Sequence, residues 1–129
     1  MIAVVDDEEL VRTALQRLLK TFGYTSIAFE SAEEFLSRGC LPEVRCLIAD
    51  IRMPGMSGLE LQAKLKANRY HIPIIFITAH GDAKMRIQAM RDGAVEFLTK
   101  PFDNAVLLET VHAAVEDYAK AIGLWTSNQ

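Results

Sequence analysis

No stretch of this 129-residue chain is apolar for long enough to cross a bilayer, which takes about 20 residues as a helix. A secretory leader is not expected either. Met1-Ile2-Ala3-Val4-Val5 has no basic region before it and runs straight into acid. Cysteine is scarce, with only Cys40 and Cys46 present. Cys46 sits inside an apolar run and reads as a small core residue, and neither cysteine has partners at zinc spacing. The three histidines, His71, His80 and His112, form no metal-ligand pattern. Basic charge is also short. Lys and Arg number 14 against 17 Asp and Glu, for a net charge of −3, and no basic stripe appears. Direct DNA binding by this chain and a membrane partner are therefore not expected. The expected location is the cytoplasm. No repeat, linker or low-complexity segment divides the chain.

What is present suits one packed domain. Half of the residues are hydrophobic, enough for a single core at this length. Short apolar runs at 2–5, 24–28, 46–49, 74–77 and 95–98 are mostly unbroken, as in a parallel sheet covered on both faces. Helical patterns lie between them. Leu10, Val11, Ala14, Leu15, Leu18, Leu19 and Phe22 mark the first, stopped by Gly23. Ser31 with Glu34 and Ser57 with Glu60 form capping boxes that open two more, the first ending at Gly39. Ala83, Ile87 and Met90 mark a fourth, ended by Gly93. Leu108, Val111, Val115, Tyr118 and Ile122 mark a fifth, capped by Asp103. The alternation is (βα)5, a doubly wound five-stranded parallel sheet with right-handed crossovers. Strand order 2-1-3-4-5 is expected from the flavodoxin-like class itself, with ligands at the carboxyl ends of the strands. The domain is expected over 1–122, with 123–129 a tail or the start of a linker.

The chemistry gathers at those strand ends. Strand 1 ends in Asp6-Asp7, strand 3 in Asp50, strand 4 in Thr78 and strand 5 in Lys100-Pro101. Carboxylates at ~4–6 Å repel by roughly a few kcal/mol at intermediate dielectric, so without positive charge one would take up a proton. Lys100 supplies one charge. All-oxygen ligands favour Mg²⁺ for the rest. An Asp carboxylate attacks phosphorus when its charge is screened, and phosphoryl transfer needs positioning more than covalent help. Asp50, at the end of the middle strand, is the expected nucleophile. Thr78 and Lys100 are expected at phosphoryl oxygens, and Asp6 and Asp7 at the metal. Gly55 and Gly58 permit a tight turn after Asp50. The Lys100–Pro101 bond is a candidate for cis. Plainer roles stand beside these: Asp6 and Asp7 as helix caps, Glu8-Glu9 as a solvated first turn, Phe97 as simple core.

Val4-Val5-Asp6-Asp7-Glu8, Asp50-Ile51-Arg52-Met53-Pro54-Gly55, Ile77-Thr78-Ala79 and Leu98-Thr99-Lys100-Pro101-Phe102 together resemble the receiver domain of two-component response regulators, in order and spacing. The resemblance covers essentially the whole chain. It implies Asp50 as phosphoacceptor. It implies Asp6, Asp7, Asp50 and the Arg52 backbone carbonyl as Mg²⁺ ligands, with Thr78 and Lys100 at the phosphoryl group. It further implies a Thr78–Phe97 switch acting on a helix 4, strand 5 and helix 5 surface that dimerises, with Met85, Ala89 and Val95 expected in it. A histidine kinase is the implied partner. Arg52 and His80 hold positions that set phosphoryl lifetime, and neither orients water well, so slow self-hydrolysis is expected. Ile77-Thr78-Ala79-His80-Gly81-Asp82 resembles regulators of the nitrogen-fixation type with a helix-turn-helix output domain. That favours a receiver taken from a longer transcription regulator, with its output domain in cis, over a stand-alone one.

Turnover of an external substrate is not expected. A haloacid-dehalogenase-type phosphatase wants a second acid two residues after the nucleophile, where Arg52 stands. A flavin module wants a hydroxyl- or glycine-rich phosphate cradle where Asp6-Asp7-Glu8 stands. A receiver-like fold without the chemistry would lack some of the residues named.

Overall fold

The computed structural model describes residues 1–38, 41–79 and 83–127, with backbone alone for 41 and 122–127. Gly39, Cys40, His80, Gly81 and Asp82, and the side chains of Ile122 and Trp125, lie outside the described residues. Five strands alternate with five helices: β1 (Ile2–Val5), α1 (Glu9–Thr21), β2 (Ser26–Phe29), α2 (Ala32–Ser37), β3 (Cys46–Asp50), α3 (Gly58–Ala67), β4 (Ile74–Thr78), α4 (Ala83–Arg91), β5 (Glu96–Thr99) and α5 (Asn104–Ser127). All pairings are parallel, in the order β2-β1-β3-β4-β5. This is the doubly wound order expected. Among the described residues, no helix is long and apolar enough to cross a membrane.

Alternation along the strands divides the core in two. Ala3, Val5, Phe29, Leu47, Ala49, Phe76 and Phe97 face α2, α3 and α4. Ile2, Val4, Cys46, Ile48, Ile75 and Ile77 face α1 and α5, against Leu15, Leu19, Leu107 and Val111. β1, β3 and β4 are buried throughout, which explains their unbroken apolar runs. The edge strands β2 and β5 are partly open instead. Phe29 and Phe35 meet edge to face, centroids 5.3 Å apart, a geometry worth about 0.5–1.5 kcal/mol beyond burial.

The turn chemistry follows the sequence closely. Ser31 Oγ accepts from the Glu34 N–H at 3.0 Å, and Ser57 with Glu60 completes a capping box. Asp103 Oδ1 accepts from the Ala105 N–H at 2.7 Å at the head of α5. Gly23 and Gly93 adopt positive φ where α1 and α4 end. The α5 backbone stays helical past the boundary expected at 122, as far as Ser127.

The markers of the first helix are not all core: Leu10 on α1 is 85% exposed, and Phe22, just past the end of α1, is 60% exposed, while Leu15 and Leu19 are buried. On α4, the pattern Ala83, Ile87, Met90 marks the outward face. Ile87 is 56% exposed and Met90 39%, while Ala89 is fully buried. Ala89 therefore cannot belong to a docking surface, as expected for it with Met85 and Val95. The reason is close packing. The small Ala89 lets α4 approach α3, where buried Gln62 donates through Nε2 to the Ala89 carbonyl at 3.0 Å. Met85 is partly buried against the same core. Val95, 38% exposed, remains on the surface.

Candidate functional site

Strand register sets the site. Val5 pairs with Ala49, Asp50 with Ile77 and Thr78 with Thr99. Asp6, Asp50, Thr78 and Lys100 therefore end neighbouring strands on one rim. Burial there is severe for polar groups: Asp6 is 0% exposed, Asp50 4% and Thr78 1%. Lys100 Nζ donates to Asp6 Oδ2 at 3.2 Å and to Asp50 Oδ2 at 3.3 Å. The lysine thus bridges the two carboxylates that carry least solvent. The Lys100–Pro101 bond is cis, and the Lys100 N–H donates to the Thr78 carbonyl at 2.8 Å.

The backbone holds each acid in a fixed pose. Asp6 Oδ1 accepts from the Glu8 N–H at 2.9 Å, and Asp50 Oδ1 accepts from the Arg52 N–H at 3.2 Å. Side-chain capping by Asp7 is not how α1 begins, since its cap residue is Glu8 and no side-chain cap bond forms there. Two participants lay beyond the sequence reading. Glu8, read as a solvated turn residue, comes within 3.7 Å of Lys100 Nζ. Three consecutive acids at a strand end were its signal. Arg12 Nη1 donates to the Asp6 carbonyl at 2.8 Å, a contact between an α1 side chain and strand backbone that no sequence pattern marks.

Burial pushes the Asp6 carboxyl above its ordinary range; the Glu8 N–H and Lys100 pull it back only in part, and Asp50 adds to the rise. Burial alone would lower Lys100, but Asp6 and Asp50 beside it carry the net shift upward. The two directions express different balances. The lysine is held charged by two anions, whereas Asp6 has lost more to desolvation than one shared lysine returns. The rim is short of positive charge.

A hard cation fits that shortfall. Carboxylate oxygens of Asp6, Asp7, Glu8 and Asp50 lie within 4.8 Å of one another. An all-oxygen set of this kind suits Mg²⁺ better than a softer metal. The Arg52 carbonyl, expected as a further ligand, belongs to the loop whose N–H already meets Asp50.

That loop is built for close approach. Gly58 is buried, its N–H donates to the Ile51 carbonyl at 2.8 Å, and a Cβ there would strike the Asp50 carbonyl oxygen and lie 2.9 Å from Ile51 Cα. These are backbone atoms with nowhere to go. Gly58→Ala is expected to cost about 1–3 kcal/mol in urea unfolding; a cost indistinguishable from zero would show that the strand end yields.

Phe97 is 3% exposed and packs on the α2–α4 side. Phe76 pairs with Phe97 as Thr78 pairs with Thr99, so Thr78 and Phe97 share one face of the sheet. The Arg86 guanidinium lies 6.0 Å from the Phe97 ring centroid.

Comparison with known proteins agrees with this fold. The response regulator receiver domain family matches residues 2–112. Nodulation protein W of Bradyrhizobium diazoefficiens is 46% identical over 117 residues, which span 90% of this chain and 51% of that protein. The crystal structure of FixJ-N is 44% identical with a TM-score of 0.80, covering 89% of this chain and 92% of that one. The response regulator StyR is 42% identical with a TM-score of 0.90, covering 98% of this chain and 64% of that one. The chain spans about half the length of the curated relatives it matches.

Proposed function

This chain belongs to the response regulator receiver domain family, and from that premise we propose that it accepts a phosphoryl group on Asp50 and uses it as a conformational switch. The observation that carries the reading is Lys100 Nζ placed between Asp6 Oδ2 and Asp50 Oδ2 at the end of the central strand. The Asp50 carboxylate oxygen forms a bond to phosphorus as the bond to the donor breaks, and the donor leaves with its electron pair. A phosphohistidine of a histidine kinase or a small acyl phosphate would serve as donor. Lys100 and the Thr78 hydroxyl stabilise the transferred oxygens. Mg²⁺, held by Asp6, Asp7, Asp50 and the Arg52 carbonyl with Glu8 close by, would supply charge neutralisation when bound.

The kinase needs a landing beside Asp50. Leu10, Val11, Ala14, Leu18 and Phe102 line an apolar groove of about 270 Å³ that reaches Lys100. Leu10, 85% exposed at the mouth of this groove, adds apolar surface open to a partner.

Output is proposed to run through Thr78 and Phe97 to the surface of α4, β5 and α5, where phosphorylated copies pair. With Ala89 inside, the apolar contributors on that face are Ile87, Met90 and Val95. Ile87→Asp is expected to weaken phosphorylation-dependent dimerisation about tenfold, read by sedimentation; an unchanged dimer would place the interface elsewhere. The dimer would in turn govern a transcription domain in cis, in a cytoplasmic protein. The chain acts on itself, phosphorylating and dephosphorylating Asp50, with no turnover of an external substrate.

The direct test is intact mass after incubation with acetyl phosphate, with Mg²⁺ and with EDTA. One Mg²⁺-dependent phosphoryl adduct is expected. A folded protein that gains none, beside a receiver that does, would leave this chain a binding module.

A further inference from the structure

We infer that Glu33 is a positioning residue for the acidic site, acting through the 52–57 loop; the inference rests on the phosphoacceptor reading above. The loop is tied at its two ends to the residues that close β3, by the Asp50 side chain and the Ile51 carbonyl. The Arg52 N–H reaches Asp50 Oδ1 at 3.2 Å, and the Gly58 N–H reaches the Ile51 carbonyl at 2.8 Å. Between them a third tie comes from outside. The Met56 N–H donates to Glu33 Oε2 at 3.2 Å, across 23 residues of sequence.

Two further features make this contact specific. Gly55 has φ +77°, which glycine adopts freely, and Glu33 Oε2 sits on the open face that its missing Cβ leaves. Glu33 itself stands on firm ground. Its neighbours on α2, Ala32 and Phe35, are fully buried, and Ser31 caps the helix through the Glu34 N–H. The Glu33 oxygen is thus referred to the core, and through Met56 it refers the loop to the core as well.

Glu33 is not one of the four acids whose oxygens converge at the rim. Its effect passes through the loop. The loop's first N–H orients the Asp50 carboxylate, and the Arg52 carbonyl would meet Mg²⁺. Releasing the middle of the loop lets both drift. One exposed backbone-to-carboxylate bond corresponds to a loss of about fivefold in affinity.

The test compares Glu33→Ala and Glu33→Gln with the unchanged protein in two measurements. Amide hydrogen exchange at Met56, without metal, reads the tie itself. Calorimetric Mg²⁺ binding reads its consequence at the site. Glu33→Ala is expected to lose Met56 protection and to weaken Mg²⁺ binding about fivefold. Glu33→Gln keeps an acceptor oxygen and should retain most of both. Unchanged Met56 exchange in Glu33→Ala would overturn the inference. Equal weakening of Mg²⁺ binding by Ala and Gln would overturn it too, because it would assign the effect to charge rather than to the bond. An unchanged protein that binds no Mg²⁺ would instead fault the phosphoacceptor reading, while the exchange result still judges the tie.

Discussion

Asp50→Asn should leave no phosphoryl adduct under conditions that load the unchanged protein completely. The amide keeps the shape of the carboxylate and can still accept from Lys100 Nζ, which now sits 3.3 Å from Asp50 Oδ2. It cannot attack phosphorus, because its nitrogen lone pair is delocalised and its oxygen carries no full charge. The loss is therefore chemical rather than structural, and urea unfolding should show a folded variant. Intact mass makes the comparison absolute. A surviving adduct on Asp50→Asn would transfer the nucleophile's role to Asp6 or Asp7, whose oxygens lie in the same cluster.

Asp6→Asn should reverse the order of stability with and without Mg²⁺. The Asp6 carboxyl titrates in the fold above its ordinary value of 3.8, chiefly because it is buried. A group with a raised folded pKa favours folding below its unfolded pKa, and that contribution is lost as pH rises through the folded value. At neutral pH the charged Asp6 is therefore a net burden on the metal-free protein. Removing that charge should raise the Tm of the metal-free protein. The gain should shrink as the pH falls through the raised folded value, where the native side chain takes up a proton. Lys100, whose pKa is raised above 10.5, stays charged across this window and does not confuse the reading. With Mg²⁺ the balance changes sign. A ligand at 100 times its Kd adds about 2.7 kcal/mol to the state that binds it, and the variant would lack one of the proposed carboxylate ligands. Thermal scans at neutral pH, with EDTA and with Mg²⁺, decide the matter. A variant that melts lower than the unchanged protein in both would show Asp6 to be adequately neutralised by Lys100 alone.

These two acids were legible from sequence because each ends an apolar run. A buried parallel strand is read from hydrophobicity alone, and the register of a parallel sheet then brings its polar ends together. Thr78 and Lys100 were placed by the same logic, and the caps at Ser31 and Ser57 marked their helices to within a residue, although only Ser57 completes the reciprocal box and Glu34 turns to the Glu30 N–H instead. The helix faces were harder. On α4 the large apolar residues Ile87 and Met90 point outward, and the buried position is the small Ala89. Periodicity weighs size, whereas packing against α3 depends on the absence of it. Leu107, fully buried on α5, was passed over beside Leu108 because adjacent leucines give the period no direction. Contacts such as Arg12 with the Asp6 carbonyl, or Glu33 with the Met56 N–H, join distant segments through backbone atoms. Side-chain identity says nothing of where a backbone amide will come to rest.

The division of the core also bears on how such a domain can change over generations. Leu10 and Phe102, the proposed landing for a donor, flank the α1 and α5 side of the sheet. Ile87 and Met90 stand on α4, across the sheet from it. Of the proposed output surface, α4 lies across the sheet from that groove, whereas α5 lies beside it. A lineage can therefore change the α4 part of its response without touching the donor's landing, while a change at the head of α5 would reach both. Grafting α1 surface residues from a homologue should redirect which kinase is accepted and leave the strength of pairing on α4 untouched. The sheet would leave the α4 contacts free to drift while the landing beside Lys100 stays fixed.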